Sequence, residues 1–239
     1  MIYEKYRLKF NVYEKSLMLG LLISVLCSIV NFSAKCNIIS DKVLRLHVIA
    51  NSDSTEDQNL KLKVRDSIIK FFANQNFKSR EETKKFASDN LDKIRIISQN
   101  EILKNGFEYN VEAKVCKASF NTRVYDEISL PAGEYDSLKI IIGDGKGKNW
   151  WCVIFPPMCI PAAEKCNVDR KSYNENFSRE DKNVIENKDS YKIKFKVVEL
   201  FESARESFSK FTRKCVLFSK KIVYNSLGIK NFQLIKRRK

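Results

Sequence analysis

An uncharged apolar run near the N-terminus constrains this chain more than any other feature. The run covers the nineteen residues from Ser16 to Ala34. A helix rises about 1.5 Å per residue, so a helix of this length just crosses a hydrocarbon core of about 30 Å. Basic residues outnumber acidic ones four to two in residues 1–15, which favours export of everything that follows. We therefore predict that residues 1–35 are an export signal or membrane anchor, and Phe32 is a poor −3 residue for cleavage after Ala34.

The charge distribution adds a second constraint. The chain carries a net charge of +15, and from Glu199 to the C-terminus it has eleven Lys or Arg against three acids. This excess indicates an anionic surface as a partner, such as lipid headgroups, cell-wall polymer or an acidic protein. Export argues against nucleic acid. A background composition rich in Lys, Asn and Ile is the simpler alternative.

The residues between the apolar run and the basic end predict a globular domain of helices and strands. An apolar strand (Val43–Ala50) leads through a turn at Asn51–Ser54 into a helix over Thr55–Gln75, with Ser54 as its N-cap. A second helix is predicted over Arg80–Leu103. Strand patterns then cover Phe107–Val115, Thr122–Ile128, Leu138–Ile142 and Trp150–Phe155, the first with strict alternation of apolar and polar residues.

These elements predict an α+β fold, with a mostly antiparallel sheet of four or five strands and helices packed on one face. We assign residues 36–160 to this domain and residues 161–190, which are polar and lack periodicity, to a loop or linker. Residues 191–239 form a basic amphipathic helical segment, whose apolar stripe runs from Val197 to Ile222 in steps of four and three. Two interpretations of this stripe stay open: packing on the domain, or docking on a membrane surface or another helix.

A glycine-rich loop at residues 143–148 resembles a phosphate-binding loop only superficially. A phosphate loop needs Gly-Lys-Ser/Thr at the start of a helix, whereas here a strand pattern follows. We predict a hairpin turn at this position.

The chain offers little for catalysis or metal binding. Six cysteines lie beyond the apolar run, without a Cys-x-x-Cys pair, and His47 is the single histidine, so neither a metal site nor a cofactor is predicted. Cys152 and Cys159 are the candidate disulfide, with two reduced buried thiols as the alternative. A Cys–His hydrolase would have to use His47, which alternates within an apolar strand as a core residue does. Asp53 and Asp57 are explained as turn and cap residues, so no catalytic residue is predicted.

Three stretches in this order and spacing together resemble the stage II sporulation protein R family. They are LRLHVIANSDSTEDQNLKLKVRD from Leu44, LPAGEY from Leu130 and LKIIIGDGKGKNWWCVIFPPMC from Leu138. The resemblance covers about Val43–Ile160 and the N-terminal export segment, and it is loose beyond Pro161.

The resemblance implies a signalling protein that is not an enzyme. Such proteins are exported from the forespore into the space between forespore and mother cell, where they activate a membrane-embedded aspartic protease that processes the sigma-E precursor. It implies that the strand–turn–helix and turn motifs are shaped by His47, Asp57, Arg65, Asp66 and Gly133. It also implies partner binding by Trp150, Trp151, Pro156, Pro157, Asn51 and Asp53.

Adjacent strand residues point to opposite faces, so at most one of the two tryptophans faces the core of a two-layer fold. We predict that the other is accessible and contacts the protease, as aromatic residues often do at interfaces. Two other functions stay open on the residues alone: a secreted Cys–His hydrolase acting on cell wall or peptide, and a module that binds an anionic wall or membrane surface.

Overall fold

The computed structural model describes residues 12–125, 128–158, 170–187, 191, 193–200 and 203. Helix α1 (Val12–Ser40) contains the apolar run. It is the one helix of the described ranges that is long and apolar enough to cross a membrane, and its apolar stretch is almost wholly exposed. An N-terminal apolar helix of this kind fits the predicted signal or anchor.

A four-stranded sheet lies at the centre of the domain. The strands in chain order are β1 (Leu44–Ile49), β2 (Val111–Phe120), β3 (Arg123–Tyr125), β4 (Ile128–Leu130), β5 (Gly133–Ile142) and β6 (Asn149–Phe155). The main sheet has the order β2-β5-β1-β6, while β3 and β4 pair as a separate ribbon. β1 runs parallel to β5, and the other two pairings of the main sheet are antiparallel. The predicted α+β class with a mostly antiparallel sheet is therefore confirmed.

Three helices pack on one face of this sheet. They are α2 (Thr55–Ala73), α3 (Arg80–Asp89) and α4 (Leu91–Lys104). Their apolar side chains meet alternate residues of the strands in a first core, which includes Leu46, Val48, Leu60, Val64, Ile68, Ile94, Leu138 and Ile140. The single helix predicted over Arg80–Leu103 is in fact two, because Asn90 leaves the helical conformation with φ −113° and ψ 20°.

The opposite face of the sheet carries a second core, which the sequence analysis did not predict. It is built from the end of α1, the β3–β4 ribbon, α5 (Arg170–Asn176) and α6 (Arg179–Glu186). The loop or linker predicted over residues 161–190 does not describe residues 170–187, which fold into these two helices. The buried apolar residues of this stretch are few, Tyr173, Phe177, Val184 and Ile185, and Phe177 lies between the two helices, so the helical period is hard to recognise.

The basic C-terminal segment is described only in part. Residues 193–200 are helical, and Phe195 and Val198 pack into the second core. This part packs on the domain through residues that do not belong to the predicted stripe, so both interpretations of the stripe stay predictions. The rest of the stripe and the terminal basic cluster at residues 236–239 lie outside the described residues.

The glycine-rich loop is not the hairpin turn that the sequence predicts. β1 lies between β5 and β6 in the sheet, so residues 143–148 cross over the end of β1 instead of joining neighbouring strands. This crossing brings the loop onto the turn that follows β1.

Candidate functional site

The turn after β1 is organised around one buried carboxylate. Asn51 Nδ2 and Ser52 Oγ both donate hydrogen bonds to Asp57 Oδ2, at 2.9 and 2.6 Å. Ser54 caps α2 by accepting a hydrogen bond from the Asp57 backbone N–H at 3.2 Å, as predicted. The Asp57 side chain thus bonds to the loop residues Asn51 and Ser52 and not back to the cap residue Ser54. It therefore fixes the loop after β1 to the start of α2.

The electrostatics of Asp57 match a structural role. Burial alone would raise the pKa of this carboxyl, but hydrogen bonds from Ser52, Asn51 and Tyr109 hold its pKa below the ordinary value. Asp57 is therefore ionised at neutral pH and is a weak base, which suits an anchor better than proton transfer.

The glycine-rich loop is fastened to this turn by backbone hydrogen bonds. The Asp144 N–H donates to Asn51 Oδ1 at 3.0 Å, and the Lys148 N–H donates to Asp53 Oδ1 at 2.6 Å. The Lys146 N–H donates to the Asn51 carbonyl at 3.0 Å. Two segments almost a hundred residues apart in the chain therefore form one rigid corner, which we call the double-loop corner (residues 51–54 and 143–148).

Gly147 is required by the closeness of the two loops. A Cβ at this position would collide with the backbone carbonyl of Ser52, and a backbone atom yields less readily than a side chain. Gly143 and Gly145 adopt φ values of +55° and +62°, which residues with a side chain seldom adopt. The glycines therefore allow the close packing of the corner.

Trp150 extends the corner onto the first face of the sheet. It packs partly against the first core, and the Arg65 guanidinium lies over its ring with Cζ 4.5 Å from the centroid. Arg65 in turn pairs with Asp66 at 2.6 Å. The predicted structural role of Arg65 and Asp66 thus has a physical basis, because the pair holds one face of the tryptophan.

Trp151 extends the corner onto the second face. Its ring stacks on His47 with centroids 3.7 Å apart, and His47 Nε2 is 2.8 Å from Asn149 Oδ1. Burial lowers the pKa of His47 to about 4, with a smaller contribution from the charge of Lys139 and partial opposition from the Asn149 hydrogen bond. The imidazole is therefore neutral at physiological pH.

The two tryptophans lie on opposite faces, as predicted, but both pack partly against a core. The expectation that at most one faces the core assumed a fold of two layers. The second core provides a third layer, so each indole is half-buried and keeps an exposed part.

The structure does not assemble a Cys152–His47 pair. Cys152 is buried on the face opposite His47, within the first core, and it is disulfide-bonded. A thiolate at Cys152 is therefore not within reach of the imidazole. Cys159, the predicted disulfide partner, lies outside the described residues, so the pairing stays a prediction. Cys36 and Cys116 are free thiols.

The two prolines lie apart from the double-loop corner. They follow the far end of β6, where Pro156 is buried and Pro157 exposed, about 20 Å away if a strand rises 3.3 Å per residue. Pro157 borders a groove of about 470 Å³ that Phe72, Phe77 and Phe155 also line. Gly133 lies at the start of β5, where a Cβ would meet only the Tyr135 ring at 3.8 Å. The predicted partner-binding residues therefore occupy two separate places.

Sequence reasoning missed a buried cation in the second core. Arg45 is 0% exposed, and its Nη2 donates to the Tyr125 hydroxyl at 3.0 Å. Its guanidinium lies 4.3 Å from the ring centroid of Phe120 and 4.4 Å from that of Tyr135. The sequence feature that could have indicated this buried cation is an arginine within the apolar β1, two residues before His47 and so on the same side of the strand. Across the described ranges, no group of three or more His, Cys, Asp or Glu is placed to hold a metal ion.

Comparison with known proteins places these motifs in a family. Residues 40–165 match the stage II sporulation protein R family. A curated relative, stage II sporulation protein R of Bacillus subtilis (strain 168), is 38% identical over 124 residues, which cover 51% of this chain and 55% of the relative. No solved structure matches the chain significantly. Because the match covers more than half of the chain and contains the whole double-loop corner, this chain belongs to the stage II sporulation protein R family.

Proposed function

We propose that this protein is an exported sporulation signal that acts by binding. In this proposal it activates a membrane-embedded aspartic protease, which then processes the sigma-E precursor in the mother cell. Family membership supports a role in sporulation, and the N-terminal apolar helix supports export or anchoring. The matched region covers about half of the curated relative, so the activity of that whole protein comes to this chain as a proposal.

The main support is the convergence of the family motifs at the double-loop corner. Asn51, Asp53 and Arg65 come from the stretch that begins at Leu44. Trp150 and Trp151 come from the stretch that begins at Leu138, and contacts join these two stretches. Two loops fixed by hydrogen bonds present a preorganised surface, which lowers the entropic cost of binding. A rigid corner with half-exposed aromatic rings suits recognition by a protein partner.

The corner also offers charges that a partner would meet first. Lys146 and Lys148 are exposed on the loop, beside the exposed Asp53. Lys146 pairs with its neighbour Asp144 on the same loop, at 2.7 Å. A change of these lysine side chains alters the surface without removing the backbone hydrogen bonds that hold the corner.

Because the lysine side chains can be changed while the backbone hydrogen bonds of the corner stay, the binding surface can be tested directly. The chain, the protease and the sigma-E precursor are produced together in a non-sporulating bacterial host, and precursor cleavage is followed by immunoblotting. We expect the double variant Lys146→Glu/Lys148→Glu to lose most of the cleavage at an unchanged exported level, because the charge of the surface is reversed. The matched control, Lys85→Glu/Lys93→Glu, changes two exposed lysines on α3 and α4 and should keep cleavage. Equal cleavage by both variants would contradict a role for the corner in activation.

A further inference from the structure

Helix α1 has two parts with opposite environments. Large apolar residues up to Val30 are exposed, whereas Phe32 is 3% exposed and Cys36 and Ile39 are buried with it in the second core. Steps of four and three place these three residues on one side of the helix. The helix that carries the export signal therefore continues without a break into the folded domain, and its last turns are part of the core.

The point where α1 leaves the domain is marked by a second helical segment. Phe32 stacks on Tyr191 with centroids 5.4 Å apart, and it contacts Phe195 at the same distance. Lys194 Nζ lies 5.8 Å from the Phe32 ring. Residues 193–200 therefore lie beside the base of the exposed part of α1.

This second segment presents apolar side chains away from the core. Phe195 and Val198 are buried, but Ile193 is 80% exposed and Leu200 is 70% exposed. Residues seven apart lie on the same side of a helix, and the exposed Lys196 lies between these two. A short helix with one face in the protein core, and exposed aliphatic side chains with lysines on the other, suits the interface of a bilayer, where lysine side chains reach the headgroups.

The length of α1 also places the bilayer surface beside residues 193–200. Its exposed uncharged part, residues 16–31, is about 24 Å long at about 1.5 Å per residue. With the Lys15 side chain reaching to the headgroups, this length approaches the thickness of a hydrocarbon core, about 30 Å. If this part spans the membrane, the bilayer surface falls at Phe32, beside Tyr191 and Phe195. Ile193 and Leu200 are then at the depth where aliphatic side chains gain from leaving water.

We propose that α1 is retained after export and that residues 193–200 lie in the interface of the same bilayer, so that two adjacent elements seat the domain on the membrane. The partner of this surface is the phospholipid bilayer itself. Cleavage after Ala34 would remove Phe32 from the second core, and Tyr191 and Phe195 would lose their contact with its ring. The seat is independent of which protein binds the double-loop corner.

Photocrosslinking of the full chain in lipid vesicles tests the interface. Benzoylphenylalanine replaces Ile193 or Leu200, and in the control it replaces Ile96, a 58% exposed residue on α4 at the opposite face of the sheet. The vesicles contain phosphatidylcholine and phosphatidylglycerol, with a radiolabelled lipid. We expect strong lipid adducts at 193 and 200 and none above background at 96.

Two results would overturn the proposed seat. Absence of lipid adducts at 193 and 200, with α1 inserted, would show that residues 193–200 lie away from the bilayer. Adducts at these positions only within the chain itself, to residues 204–239, would show that another part of the protein covers them. The retention of α1 is tested separately by the intact mass of the chain recovered from exporting cells, and a mass lacking residues 1–34 would contradict it.

Discussion

The carboxylate of Asp57 gives the sharpest test of how the double-loop corner is held. It is buried, and it accepts two direct hydrogen bonds from the turn after β1. A hydrogen bond to a charged group contributes about 1.5–3 kcal/mol to stability. We therefore expect Asp57→Ala to lower the free energy of unfolding by about 3–5 kcal/mol, because the Asn51 and Ser52 donors also lose their partner.

The neighbouring Glu56 provides a matched control. It stands in the same first turn of α2 and is exposed, so Glu56→Ala removes only a favourable interaction with the helix dipole, about 0.3–1 kcal/mol. Urea unfolding of the full chain in mild detergent, followed by circular dichroism and tryptophan fluorescence, measures both variants. For a domain of this size, each kcal/mol lost from the free energy of unfolding corresponds to a fall in Tm of roughly 2–4 °C.

A double-mutant cycle then shows whether the loss belongs to the corner. Asn51 Nδ2 donates to Asp57, and Asn51 Oδ1 accepts from the Asp144 N–H. Because the two residues share a network, the effects of Asn51→Ala and Asp57→Ala should be less than additive, with a coupling of about 0.5–3 kcal/mol. Equal losses for Asp57→Ala and Glu56→Ala, or strict additivity in the cycle, would refute the role of Asp57 as the anchor of the turn.

Three further predictions follow from the same contacts. Gly147→Ala should destabilise the domain by about 1–3 kcal/mol in urea unfolding, because the new Cβ meets the Ser52 carbonyl. The control Gly133→Ala should be nearly neutral, because its Cβ would meet only the Tyr135 ring at 3.8 Å. Equal effects of the two changes would contradict the close approach of the loops. The pKa of His47 is lowered from 6.5 to about 4 in the folded protein, so the unfolded chain binds the proton more readily. The contribution of His47 to stability is therefore complete above pH 6.5 and falls as the pH drops to about 4. A His47→Gln variant should lack this part of the pH dependence of stability, and an unchanged profile would show that His47 does not titrate as described. Cys36 is 1% exposed and Cys116 is partly exposed, so in a Cys27→Ser variant, which lacks the exposed thiol of the apolar run, a maleimide reagent should label Cys116 before Cys36. Rapid labelling of Cys36 would show that the end of α1 is not packed in the second core.

The local elements could be predicted from the sequence because short-range chemistry determines them. Ser54 is a strong cap residue followed by a helical apolar period, and α2 begins at Thr55 as predicted. The alternation from Phe107 onward correctly assigned the buried side of β2, although the strand itself begins at Val111. The branched apolar residues of β1 and β6 were also recognised as strands.

The order of the strands could not be predicted in this way. Two strand patterns joined by a glycine-rich loop indicate a hairpin, because neighbours in sequence are usually neighbours in the sheet. Here β1 is inserted between β5 and β6, and long-range pairing with Ile140 and Trp150 determines its place. The double-loop corner depends on that insertion, so the sequence named its residues without showing why they meet.

The second core explains why the candidate site departs from the sequence prediction. Arg45 and His47 project from β1 toward the face on which no helices were predicted. His47 was interpreted as a core residue, but no layer that covers this side was predicted. Instead, the aromatic rings of Phe120, Tyr135 and Trp151 cover both side chains. An arginine stem and a neutral imidazole stack well on aromatic rings, so these polar residues are compatible with burial on a face that α1 closes. The end of α1 lies in the same core against which Trp151 packs, so the apolar N-terminal helix and the tryptophan beside the candidate binding corner belong to one packed layer.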